Sequence, residues 1–431
     1  MSASLRGTKL YWIATFLLFF VPALILVCVD FNYSNPAFAA LDQRNGHLPT
    51  IRYFALHWGS FDIRHSTRSG PGYYLLMGAI DRWITDNVAG LRFFNLLITG
   101  VLLGVQAFSL NAVCKSPLAA ALAWPFFFCA SVYTRGVWLS TDNLAWLGVL
   151  AVLLIALRPV LTGTAIAAAA VIVAALVSVR QIHAWTIPFL ILAVLTVSGT
   201  ASAVRMAAAL LPTLMLIGWF IYTWRGLEPP IGQAHYAGFS LAALPMVFSL
   251  FGILGAFYAT AIWPELRRRL RESPRDFKPY LLAGLAVGLA AGLVPHTTFD
   301  SFFRRSGIWV LARHTPVFFG RSVAITMLTI SGALACGVLF TVLTRRDRAI
   351  FGAALLCFAV VQCANRSIFE RYYEPFILLV LALATARIAA GGDVRTSWRA
   401  RAAGPLLLGL LQIGYTIWSL STPFHRAAFV R

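Results

Sequence analysis

The sequence predicts an all-α, polytopic transmembrane helical bundle, and two observations carry that prediction. Of 431 residues, 59% are hydrophobic and 12% charged, with a mean hydropathy of +0.78, whereas soluble domains hold roughly 45–50% apolar and 25% charged residues. Apolar stretches of about 20 residues recur along the whole length, each long enough to cross a bilayer core of about 30 Å as a helix. A soluble enzyme is excluded. The apolar windows give about thirteen spans, near residues 10–29, 92–113, 117–134, 138–157, 161–178, 184–198, 206–223, 239–261, 279–295, 317–343, 349–364, 374–390 and 404–420. Residues 1–431 read as one integral membrane domain.

Each element has its own reason. The first run follows Arg6 and Lys9 like a signal sequence, but it is long and lacks a small-residue cleavage site, so it reads as a retained span. The loop over 30–91 holds no full span, and its GPGYYLLMGAI segment is too short to cross. This loop is expected to form interfacial helices that cap a cavity. The remaining spans follow at short intervals. The basic segments ELRRRLRESPRDFK (Glu265 to Lys278) and TRRDR (Thr344 to Arg348), with the arginines between Arg387 and Arg401, mark the cytoplasmic side. The N-terminus is then inside and the C-terminus outside. Heptads and internal repeats are not evident, so the inverted-repeat pattern of many transporters is missing.

The net charge of +20 would suggest nucleic acid in a soluble protein. Retention of positive charge on cytoplasmic loops explains it here, and no nucleic-acid partner is expected. Only Lys9, Lys115 and Lys278 are lysine, so 32 of the 35 basic residues are arginine, the residue suited to bidentate phosphate recognition. The six cysteines lie in or beside apolar runs without a CxxC pair or a neighbouring His at ligand spacing, and read as packing. No metal site or cofactor is expected. Ten of the fifteen acids fall on the outer side of this topology, with the long segments 30–70, 225–238, 295–316 and 365–374. The outer loops are therefore where chemistry is expected.

The polar clusters lie there. The first loop carries Asp42, His47, His57, Asp62, Arg64, His65 and Arg68, anionic groups beside cations that suit deprotonation of a hydroxyl and expulsion of a phosphate. Arg135 and Asp142 sit at the ends of adjacent spans, as a structural pair or as cavity-lining groups. Arg180, Gln181 and His183 follow, Arg180 being placed to bind a lipid phosphate or to snorkel. His235 comes after a Pro-Pro-Ile-Gly turn, and His296, Asp300, Arg304 and Arg305 share one later loop. Glu370, Arg371 and Tyr372 precede another span, where Glu370 and Arg371 can also neutralise each other.

In order and content these clusters resemble the dolichyl-phosphate-glucose α-1,2-glucosyltransferase family. That family's first loop has an Asp-Glu pair, a His-x-Pro, a Trp-Asp and a Thr-Thr-x-Pro-Gly-x-Tyr. Here stand Asp42, His47-Leu48-Pro49, Phe61-Asp62, Ser66-Thr67 and Pro71-Gly72-Tyr73. Leu91-Arg92 with Asn95, Tyr133 with Ser140-Thr141-Asp142, and Arg180-Gln181 are similar to the family's next segments. Gly232-Gln233-Ala234-His235, Asp300 to Trp309 and Glu370-Arg371-Tyr372 are similar to its later ones. The departures are Gln43 in place of an acid, one extra residue before His47, and Gln233 in place of an aspartate.

The resemblance implies a GT-C fold and an inverting membrane glycosyltransferase. It would take a sugar, glucose first, from a polyprenyl- or dolichyl-phosphate carrier to a lipid-linked or glycan acceptor. Its site would face the periplasm from a bacterial inner membrane, or the lumen from the endoplasmic reticulum. Asp42 would be the general base with Asp62 in reserve. His47, Arg64, Asp142, Arg180, Gln181, His235, His296, Asp300, Arg304, Arg305, Glu370, Arg371 and Tyr372 would bind substrate. Related readings are a GT-C enzyme using mannose or aminoarabinose, and a polyprenyl-lipid transporter or flippase.

Overall fold

The computed structural model describes residues 2–28, 38–60, 63, 65, 67–230, 238–391 and 397–421. The described chain is helical almost throughout, the exception being a two-stranded hairpin that pairs Val317–Phe318 with Arg321–Ser322. It is an all-α, multi-pass membrane protein. Among the described residues eight helices are long and apolar enough to cross a bilayer, or up to ten if each bent pair is one span.

That is fewer than the thirteen expected, for visible reasons. The apolar stretches near 138–157 and 161–178 form the helices Asp142–Ala156 and Gly163–Val179, of 15 and 17 residues. At 1.5 Å per residue these rise only about 23–26 Å. The stretch near 117–134 is broken between Leu118–Phe127 and Ala130–Val137, and the one near 206–223 bends by 42° between Thr200–Ala209 and Leu211–Trp224, where Pro212 opens the second helix. The run 349–364 belongs to Arg345–Gln362, which starts with three arginines and an aspartate. Thr344 caps that start, its hydroxyl accepting from the Asp347 amide at 3.1 Å.

The chain divides into two compact units. The first comprises Phe16–Gln106, Ala130–Ala237 and Ile413–Arg431; the second comprises Met1–Thr15, Ala107–Cys129 and Gly238–Gln412. In the second unit the helix Glu374–Gly391 is the core, with 83% of its apolar window buried against 22–50% for the other spans. Beside it Ala243–Glu272, Phe277–Leu293 and Val323–Val342 pack through small residues. A Cβ on Gly332 would run into the Phe248 carbonyl oxygen, and one on Gly284 would come within 2.7 Å of the Ala333 oxygen. Such close backbone approach replaces the hydrophobic driving force that lipid removes.

In the first unit the expected surface helices are present. Phe38–Asp42, Gln43–His47 and Leu48–Leu56 run on as one rod, against which Gly72–Trp83 packs, with Gly78 lying on Ile51 and Phe54. At the far ends Trp58 and Trp83 meet edge to face at 4.7 Å and stay 38% and 61% exposed. Half-exposed indoles of this kind suit a membrane–water interface.

Candidate functional site

Three short apolar helices of the first unit place their ionisable residues at favourable ends. Arg135 lies in the last turn of Ala130–Val137, Asp142 opens Asp142–Ala156, and Arg180 directly follows Gly163–Val179. Cations complement helix C-termini and an acid complements an N-terminus. The break between the first two helices would leave carbonyls unpaired in an apolar surrounding. Asn95 supplies the donors, its Nδ2 lying 2.8, 3.0 and 3.0 Å from the oxygens of Arg135, Gly136 and Trp138. Asn143 does the same for Val132 at 2.9 Å. The Asn of the Leu-Arg segment thus holds the site's backbone together.

Asp42 ends the first stretch of the surface rod, and Gln43–His47 then makes a single π-helical turn between αR residues. A π turn holds one more residue than an α turn, and such bulges often mark functional sites. Gln43 is buried, its Oε1 accepting from Arg92 Nε at 3.1 Å and from the Leu139 amide at 3.0 Å. Its Nε2 is buried with no hydrogen-bond acceptor among the described residues. The pocket offers two donors to residue 43, surroundings that suit a carboxylate as well as an amide.

These anchors bring Asp42 to Arg135, whose NH1 donates to Oδ2 at 2.9 Å. Arg135 Nε also lies 3.5 Å from Asp142 Oδ2, and Arg180 pairs with Asp142 Oδ1. Ser140 Oγ donates to Asp142 Oδ2 at 2.8 Å. Carboxylates and guanidiniums therefore alternate: Asp42, Arg135, Asp142, Arg180. The Asp42 side chain is 30% exposed and that of Arg135 5%, so the carboxylate is the accessible member. Beside it His47 Nδ1 and the Tyr74 hydroxyl share a hydrogen bond of 2.9 Å, and burial pushes the Tyr74 phenol up to about 12. Glu228 faces Arg180 and Arg68; burial raises its carboxyl pKa, opposed by those two cations.

The Gly70-Pro71-Gly72 turn sets this loop against the end of Gly163–Val179. A Cβ on either glycine would collide with Ser178, at its carbonyl oxygen for Gly70 and its hydroxyl for Gly72. Gln181 Nε2 donates to the Arg68 oxygen at 2.8 Å, tying the same segments together. Gly70→Val should therefore cost about 1–3 kcal/mol and displace Arg180 from the loop. Thermal unfolding in detergent checks this, an unchanged midpoint contradicting it.

The later clusters lie in the second unit. Asp300 Oδ1 accepts from the amides of Phe302 and Phe303 at 2.8 and 3.1 Å, and Arg304 Nε donates to the Thr298 oxygen at 2.9 Å. Arg305 and Arg371 both lie over the Phe369 ring, at 5.5 and 5.8 Å, and Arg371 NH2 donates to the Tyr372 hydroxyl at 2.7 Å. Exposed His296 borders the Gly320 turn. Glu370 lies against Gly307, where φ is +60° and a Cβ would meet the carboxylate.

Burial first, and Glu374 second, push the Glu370 carboxyl up to about 8, against about 4.3 in an unfolded chain. Between roughly pH 4 and 8 the folded state keeps a proton that the unfolded state has released, so stability falls as pH rises through that window. Glu370→Gln should flatten this fall. Unfolding midpoints from pH 5 to 9 test it, equal slopes in the two proteins refuting the assignment.

Of the residues singled out by sequence, Asp42, His47, Asp142, Arg180 and Gln181 meet in the first unit, and His296, Asp300, Arg304, Arg305, Glu370, Arg371 and Tyr372 belong to the second. Asp62, Arg64 and His235 lie outside the described residues. Arg135 links the two carboxylates, and its pairing with Asp142 is legible in the sequence, as is Gln43 beside Asp42; Glu228 carries no motif. Among the described residues no group of three His, Cys, Asp or Glu side chains gathers as metal ligands.

No protein-family model and no curated protein matches the chain. It is similar to ArnT from Cupriavidus metallidurans, solved in the apo state, at 16% identity and a TM-score of 0.40 over 94% of this chain and 78% of that one.

Proposed function

We propose that the chain is a membrane glycosyltransferase of the GT-C type, moving a sugar from a polyprenyl- or dolichyl-phosphate carrier to a hydroxyl of a lipid-linked or glycan acceptor. The alternating Asp42, Arg135, Asp142, Arg180 network at helix ends carries this reading. Asp42 takes the acceptor proton as the hydroxyl oxygen bonds to the anomeric carbon. The bond from that carbon to the phosphate oxygen breaks, and the lipid phosphate leaves with the electron pair. One displacement inverts the anomeric centre. Arg180 offsets the charge growing on the phosphate, and Asp142 holds both guanidiniums in register.

Asp62 is the reserve base. His47, Arg64, Gln181 and His235 bind sugar or phosphate oxygens, as do His296, Asp300, Arg304, Arg305, Glu370, Arg371 and Tyr372. The charges stand at the ends of apolar helices rather than in their middles, which favours an enzyme over a transporter of the same lipids. The reaction takes place on the outer or lumenal side, where the long polar loops are assigned.

Purified protein in nanodiscs, given radiolabelled polyprenyl-phosphate glucose, mannose and aminoarabinose with a host lipid extract, tests the proposal. Transfer from one donor establishes the class and the sugar. Folded protein that consumes none, yet moves polyprenyl lipids between leaflets, overturns it.

A further inference from the structure

In the second unit a groove of about 540 Å³ runs along Phe277–Leu293, bounded by Ala243–Glu272, Val323–Val342 and Arg345–Gln362. From Tyr280 to Val294 it extends over fourteen helical steps, roughly 21 Å. An extended sixteen-carbon chain is about 19 Å long, from C–C bonds near 1.5 Å. The lining is apolar, and the groove opens sideways rather than forming a tunnel: Val287, Val294, Leu356 and Val360 are 46%, 60%, 59% and 60% exposed.

Its two ends differ. At the Tyr280 end the cation is already matched: Arg348 lies 4.4 Å over the Tyr280 ring, donates to the Leu343 oxygen at 3.1 Å and feels Asp276. At the Val294 end Arg321 is built into the rim, donating to the Leu293, Val294 and Phe319 oxygens, which are neutral acceptors and leave its charge unmatched by these bonds. Arg366 packs against Gly238, three residues before the lining residue Leu241, with its guanidinium 4.2 Å over Phe303. The Asp300 carboxylate serves two backbone amides and pairs with Arg304 at 4.0 Å. The hairpin carrying Arg321 exposes Phe318 by 63% and Phe319 by 90%, aromatic rings of the kind found at headgroup level.

We propose that this groove holds one acyl chain of an anionic glycerophospholipid from the surrounding bilayer, with its phosphate at Arg321 and Arg366. The site does not depend on the glycosyltransferase reading. Native mass spectrometry of the full chain in detergent, with phosphatidylglycerol and phosphatidylcholine of matched chains, tests it. Wild type retains phosphatidylglycerol preferentially. Arg321→Gln with Arg366→Gln removes that preference, about tenfold, and leaves phosphatidylcholine unchanged, whereas Lys at both positions keeps it. Gly352→Leu, whose Cβ meets only Phe340 at 3.7 Å, fills the groove and lowers retention of both lipids. Equal retention of the two lipids by wild type overturns the proposal, as does phosphatidylglycerol retention indifferent to Gly352→Leu. Displacement by undecaprenyl phosphate at a tenth of the phospholipid concentration would assign the groove to a carrier lipid instead.

Discussion

Asp42→Asn is expected to lower turnover by about 10²–10⁴-fold, the usual contribution of a placed general base, while the protein stays folded. The second half of that expectation comes from the network. Arg135 is buried and touches Asp42 at 2.9 Å, but it also lies 3.5 Å from Asp142. Losing the Asp42 charge therefore leaves the guanidinium with a carboxylate partner, and the large penalty of an uncompensated buried cation does not arise. Asparagine keeps an oxygen that Arg135 can bond. A fall in kcat with little change in KM and no change in unfolding midpoint identifies a group acting in the transition state. Turnover equal to wild type would remove Asp42 from the mechanism and move the base to Asp62.

Hydropathy made the all-helical, multi-pass class legible because twenty-residue apolar runs have one solution in lipid. It did not make span length legible, since an apolar window averages across the break at Phe128 and Cys129 and across the entry to Pro212. The polar clusters were legible as loops. Their partners were not: Asp42 reaches Arg135 across 93 residues, and no local periodicity encodes that. What sets the contact is Asn95 donating toward three carbonyls and Gln43 taking two donors; both residues stand out in the sequence, but the groups they bond do not. The glycines of the Gly70-Pro71-Gly72 turn were visible as a motif, but their reason, Ser178 close behind them, comes from packing alone.

Asp142→Ala is expected to have the largest effect on stability, about 3–5 kcal/mol. The carboxylate is shared by Arg135 and Arg180, whose side chains are 5% and 17% exposed, and it also accepts from Ser140. Removing it leaves two guanidiniums facing each other at the ends of apolar helices, with Asp42 left to serve Arg135 and Glu228, shared with Arg68, left to serve Arg180. It also removes an acid from the N-terminus of Asp142–Ala156, where the dipole favours one. Thermal unfolding in detergent measures the loss. Arg180→Met in the same chain should recover part of it, because the cation that Asp142 compensates is gone, and a double-mutant cycle isolates that coupling. If the two losses simply add, Arg180 owes nothing to Asp142, and the alternating network reduces to the Asp42 and Arg135 pair with a separate cation beside it. Turnover discriminates further: Arg180→Met alone should raise KM for the lipid-phosphate donor, whereas a purely structural arginine would lower the midpoint and leave KM where it was.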